Sequence, residues 1–186
     1  FHDGLTCVEA CGGACCFADS CLDLDAGACA NAGGCFTEVG MYCADTTCFT
    51  TTSQYVSTTP VSLPNSQSTS SFISVGGTGG ILDIEVAFAI EHPHVGDLCV
   101  TLAHAGTEVR LLERAGSIAA CFEFDPVFPC PWNDYDVVLD DSGIGGPLED
   151  LCQDVMESPP SYTPEEPLAA FHGIDLGGDW VLTISN

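Results

Sequence analysis

Lysine is absent from this 186-residue sequence, and the only arginines, Arg110 and Arg114, stand against 27 Asp and Glu. The formal charge of -25 repels phosphate backbones and anionic lipid surfaces, which argues against nucleic acid and acidic membranes as partners. No apolar run approaches the roughly 18 residues that a membrane-crossing helix needs, and no basic-plus-apolar leader precedes Phe1. These absences predict a chain without a membrane span whose signal peptide has already been removed. The Ser/Thr-rich stretch offers no N-glycosylation sequon, because Asn65 is followed by Ser66 and Gln67. Disorder is not expected, since 46% of the residues are hydrophobic.

Cysteine is abundant instead. Thirteen cysteines predict an oxidising, extracellular setting, because reducing compartments keep thiols open. Nine fall within residues 1–48, at positions 7, 11, 15, 16, 21, 29, 35, 43 and 48; the other four are Cys99, Cys121, Cys130 and Cys152. An odd total leaves one thiol free or joined to another chain, and the crowded N-terminal half is where it is expected. Cys7, Cys11 and Cys15 recur every four residues, which would put them on one face of a helix. The spacing predicts a small helical hairpin stapled by disulfides, since so short a segment cannot build a sufficient core. Zinc prefers Cys-x2-Cys knuckles or added histidine, and this segment has neither arrangement.

Three zones follow: a cysteine-rich subdomain over 1–48, a Ser/Thr-rich linker or donor strand over 49–71, and a β-sandwich over 72–186 that could begin near 55. Dense Ser and Thr with Pro in the middle zone also suit O-linked sugar. In the third zone Ile84, Val86, Phe88 and Ile90 alternate with Glu85, Ala87, Ala89 and Glu91, the period of a half-buried strand. Leu98, Val100 and Leu102 repeat the pattern. Val109 and Leu111 follow the Gly106 turn, and Trp180, Leu182 and Ile184 close the chain. With Trp180 and Leu182, the residues from Ile84 through Leu102 named here form the expected core. Short strands between turn signals read as an antiparallel sandwich.

ILDIEVAFAIEHPHVGDLCVTL at 81–102 resembles the P domain, or Homo B domain, that follows the catalytic domain of subtilisin-like proprotein convertases. The family pattern runs Ile-x-Asp-Val-x-Val-x-Val-x-Ile-x-His, then two residues, then Val-Gly-Asp-Leu. Asp83, His92, Gly96, Asp97 and Leu98 stand in register with it. GTEVRLLERAG at 106–116, DYDVVLDDSG at 134–143 and YTPEEPLAAFHGIDLGGDWVLTISN at 162–186 continue the likeness in order, over about two thirds of the chain. The resemblance implies an antiparallel jelly-roll β-sandwich without catalytic residues, of a kind that often binds calcium. Two departures stand out: the family continues through a Gly-rich turn into a final strand beyond the Trp-x-Leu segment, and the four later cysteines and the insert 117–133 are additions.

The chemistry-bearing residues point away from catalysis. Asp-Ser-Gly at 141–143 resembles an aspartic-protease loop, but such enzymes need two of these carboxylates sharing a proton, and there is no second copy. His92 and His94 have the spacing of a metal pair, yet His92 occupies the family's histidine position and is assigned a structural hydrogen bond. Asp83, Asp97, Asp136, Asp140 and Asp141 are the candidate ligands for Ca2+, which takes hard carboxylate and carbonyl oxygens. The sequence therefore suggests a secreted, non-catalytic structural protein that self-assembles into a homo-oligomer or filament. A sandwich lacking its last strand would accept residues 48–58, CFTTTSQYVST, from a neighbouring copy. The alternative is a calcium-binding module of P-domain type, accessory to a secreted protease.

Overall fold

The structure is a computed structural model that describes residues 13–17, 20–37, 39–44, 52–116, 134–152 and 156–186. The fold is mainly β, with antiparallel sheets and disulfides. By contacts the chain divides into two units, one comprising Phe1–Tyr55, Gly76–Asp83 and Phe171–Gly177, the other Val56–Val75, Ile84–Ala170 and Gly178–Asn186.

In the first unit, β1 (Gly13–Cys16) pairs antiparallel with β2 (Cys21–Leu24) and with β3 (Cys35–Phe36). Of the cysteines on which the helical hairpin was expected, Cys15 lies in a strand, while Cys7 and Cys11 lie outside the described residues. The reason is local. Gly12 and Gly13 disfavour helix, and all four β1 residues are buried, which suits a central strand. Disulfides join Cys15 to Cys29 and Cys21 to Cys43. Among the described residues of this unit, helix occurs as α1 (Ala26–Asn31), started by Asp25, whose side chain accepts from the Ala28 N–H at 2.9 Å. Segments 76–83 and 171–177 pair with each other through Ile81 N–H to Ile174 O and Leu176 N–H to Gly79 O.

The second unit holds two sheets. The four-stranded one has the order β4 (Ser68–Val75), β10 (Gly178–Ser185), β6 (Cys99–His104), β7 (Thr107–Glu113), antiparallel throughout. Strands β6 and β7 are joined by Ala105-Gly106, both at positive φ (49° and 86°), the turn whose twist matches a two-residue hairpin. The three-stranded sheet has the order β5 (Val86–Ile90), β8 (Tyr135–Leu139), β9 (Met156–Glu157). Its β8–β9 pair is parallel, so this sheet departs from the purely antiparallel expectation.

Of the expected core, Phe88, Ile90, Leu98, Val100 and Leu102 are buried. Ile84, Val86, Trp180 and Leu182 are only half-buried. Trp180 also stacks on the buried His104 at 4.0 Å. The whole run Trp180–Ser185 stays half-buried although β10 lies between two strands. The insert 117–133, with Cys121 and Cys130, falls outside the described residues.

Candidate functional site

The two outer edges of the four-stranded sheet are built differently. Strand β4 pairs with β10 over eight continuous positions, from Gly178 opposite Val75 to Ser185 opposite Ser68, with no bulge. On one face the pairing is a ladder of side chains: Ser68 Oγ to Ser185 Oγ at 2.7 Å, Ser70 Oγ to Thr183 Oγ1 at 3.0 Å, Phe72 beside Val181, and Ser74 to Asp179. Among the described residues nothing pairs with the other side of β4. Proteins usually protect such an edge with charge, proline or a bulge. β4 has none of these, and it lies in a stretch, 46–82, with no charged residue at all. Phe72 is 64% exposed on it. Residues 56–63 run nearby without strand pairing. Their hydrogen bond to β4 is Ser71 Oγ to Ser57 Oγ at 3.3 Å, and Val56 and Val61 stay exposed.

The opposite edge, β7, is closed by acidic residues. Glu166 N–H donates to Arg110 O at 2.9 Å, and Arg110 N–H donates to Glu166 Oε2 at 2.7 Å. Glu165 N–H donates to Leu111 O at 3.2 Å, and Glu113 N–H donates to Glu149 Oε2 at 3.0 Å. The Arg110 guanidinium pairs with Glu113. Close by, the Tyr135 hydroxyl is buried without a hydrogen-bond partner among the described residues. Burial, and after it the Glu149 charge, push this phenol above its ordinary range. An unpartnered buried hydroxyl costs about 1–3 kcal/mol. Tyr135→Phe is therefore expected to raise the urea midpoint by the equivalent of about 1 kcal/mol; a lowered midpoint would mean that the hydroxyl is satisfied in solution.

The five candidate calcium ligands do not form one cluster. Asp83 is exposed in the N-terminal unit, and Asp97 sits in the short 3-10 turn Val95–Asp97. Asp136 is exposed on β8. Asp140 Oδ1 accepts from Ser142 N–H at 2.7 Å and from Ser142 Oγ at 2.8 Å. Asp141 uses both carboxylate oxygens on the Leu168 and Ala169 N–H groups, at 2.7 and 2.8 Å, which fixes the start of the 3-10 turn Leu168–Phe171. Among the described residues no group of three or more His, Cys, Asp and Glu side chains is arranged to hold a metal ion. Of the five, Asp141 spends both carboxylate oxygens and Asp140 one on backbone N–H groups. The Asp-Ser-Gly segment is thereby accounted for as a turn and a cap.

His92 has a local role. Its Nδ1 lies 2.7 Å from His94 O and 3.2 Å from His94 N, and its N–H donates to Asp134 Oδ1. These bonds hold the loop between β5 and β6. In the first unit, Cys35 is the free cysteine among the described residues, half-buried beside Gly80, whose backbone is a hydrogen-bond partner. Burial pushes its thiol up, against the lowering effect of that bond. Cys16, Cys99 and Cys152 are disulfide-bonded. Among the described residues no helix is long and apolar enough to cross a membrane.

The chain matches no family model, no curated protein and no solved structure.

Proposed function

We propose that this is a non-catalytic structural protein of the extracellular space whose copies associate by strand addition at β4. The observation that carries the reading is the edge of β4, uncharged, unbulged and unpaired among the described residues, in a sheet whose other edge is closed. Main-chain hydrogen bonds would hold a guest strand there, and side chains on alternate positions would select it. The disulfides are compatible with an oxidising, secreted setting. The two sheets of the second unit are read as a P-domain-like jelly roll, with β4 and the half-buried face of β10 as its open side.

The occupant is a second copy of this chain. A charge of -25 per copy makes close approach unfavourable except along uncharged surface, and 46–82 supplies such a stretch. The donor is residues 48–58 of the second copy, CFTTTSQYVST, of which Ser57 meets β4 of its own copy through the Ser71 Oγ bond. Donation from each copy to the next does not close on itself, so it propagates a filament.

Electron microscopy and sedimentation velocity test this directly. Filaments or a concentration-dependent oligomer are expected from the native chain, and dispersed monomer from Phe72→Asp, which places a charge on the receiving edge. Monomer at every concentration, or assembly untouched by Phe72→Asp, rejects the reading.

A further inference from the structure

The sequence ahead of β4 repeats the pattern of β4 itself. Residues 52–58 read TSQYVST and residues 69–75 read TSSFISV. They align without a gap: Thr52 with Thr69, Ser53 with Ser70, Tyr55 with Phe72, Val56 with Ile73 and Ser57 with Ser74. We propose that residues 52–58 of one copy lie parallel and in register beside 69–75 of the next, so that each side chain meets its own counterpart. This rests on the reading of β4 as a receiving edge, and adds the direction and alignment of the guest strand.

The rows of the sheet are what such a guest would continue. On one face, Thr183 lies opposite Ser70, Val181 opposite Phe72 and Asp179 opposite Ser74. Parallel addition extends these rows to Ser53, Tyr55 and Ser57. The Ser70 and Ser74 hydroxyls bond across to Thr183 and Asp179. A hydroxyl offers one donor and two acceptor positions, so a further serine alongside finds a partner too. On the other face His104, Trp180 and Ile73 stand in one row, and Val56 continues it. Aromatic and β-branched neighbours of this kind stabilise a sheet pair by pair. Parallel, in-register stacking is also the arrangement in which like segments of separate chains set like side chains against each other.

An antiparallel guest could keep Tyr55 against Phe72, but it spoils the other face, placing Gln54 beside Ile73 and Val56 beside Ser71. The parallel pairing is disfavoured within one copy. Its connection, 59–68, is shorter than the roughly a dozen residues that a parallel crossover takes, and it carries Pro60 and Pro64. In its own copy 52–58 is exposed and outside any strand, and the outer side of β4 is unpaired among the described residues. Neither segment bears a charge. In a chain of charge -25, this is surface along which two copies meet without setting carboxylate against carboxylate.

Charge pairs placed in the full-length chain test the register, at Ser53, Ser57 and Ser74, which are all exposed. Ser57→Asp is expected to raise the concentration needed for assembly, read by sedimentation velocity, by about fivefold. Adding Ser74→Lys to the same chain should bring it back, because 57 and 74 are partners in the parallel register. Ser53→Asp should weaken assembly equally, and Ser74→Lys should leave it weakened. Rescue of Ser53→Asp in place of Ser57→Asp gives the antiparallel register and overturns the proposal while strand addition stands. Rescue of both, or of neither, overturns it as well. A native chain that stays monomeric at every concentration defeats strand addition itself, and the register with it. A benzophenone side chain in place of Gln54, in mixed heavy- and light-isotope copies, covers the case in which the Ser74→Lys chain folds poorly. Adducts between copies should centre on Ser71, and adducts centred on Ile73 overturn the parallel register.

Discussion

Replacing Cys15 and Cys29 together with alanine is expected to cost about 3 kcal/mol. The bond closes a loop of sequence separation 14, and the chain-entropy account gives about that value for a loop of roughly 15 residues. Both sulfurs are buried, so the loss also opens space around β1. The described elements around β1 are short: β3 has two residues and α1 six. Hydrogen exchange at Gly13–Cys16 provides the measure. Protection should fall roughly a hundredfold, the ratio that corresponds to about 3 kcal/mol. Unchanged protection would mean that the small sheet stands without its staple.

Gly143→Ala is expected to lower stability by about 1–3 kcal/mol, the usual cost of overpacking a filled site. An added Cβ would lie 2.6 Å from the Tyr162 carbonyl oxygen and closer still to its carbonyl carbon. The obstacle is backbone, which cannot rotate away as a side chain would. That backbone is engaged as well, since Tyr162 O accepts from Asp140 N–H and Tyr162 N–H donates to Val138 O, both at 2.9 Å. The substitution should shift the urea midpoint downward and leave the slope of the transition unchanged. An unaltered midpoint would show that the strand–turn contact has room to separate. The glycine of the Asp-Ser-Gly segment is thus explained by close approach of two backbones.

The strands legible in the sequence were those whose side chains alternate cleanly. Phe88 and Ile90 in β5, and Val100 and Leu102 in β6, face the interior with small or polar residues between them, and period two identifies them without reference to a partner. β4 was not legible as a strand, and the boundary drawn between residues 71 and 72 cuts through it. Ile73 and Val75 carry the apolar signal, while Ser68–Ser71 are strand because β10 offers hydroxyl and backbone partners that lie far along the chain. Cys15 departs from the helical expectation for a related reason: a disulfide is set by where two Cα atoms meet, not by a regular interval in sequence. The parallel β8–β9 pair has two residues per strand, too few for a periodic signal. The cluster at β7 was invisible, since Glu113, Tyr135, Glu149 and Glu165 come from four separate segments and acquire their chemistry only through burial.

The uncharged stretch 46–82 has a consequence for ionic strength. Repulsion between two copies reaches across a Debye length, about 10 Å at 0.1 M salt and about 30 Å at 0.01 M. A neutral segment on each surface does not cancel the field of the carboxylates around it in dilute buffer. Adding salt shrinks that field until the neutral segments meet before the carboxylates sense one another. Association of copies should therefore strengthen as salt rises, the reverse of the behaviour of complexes held by opposite charges, and a brine would promote contact where fresh water keeps the chains apart.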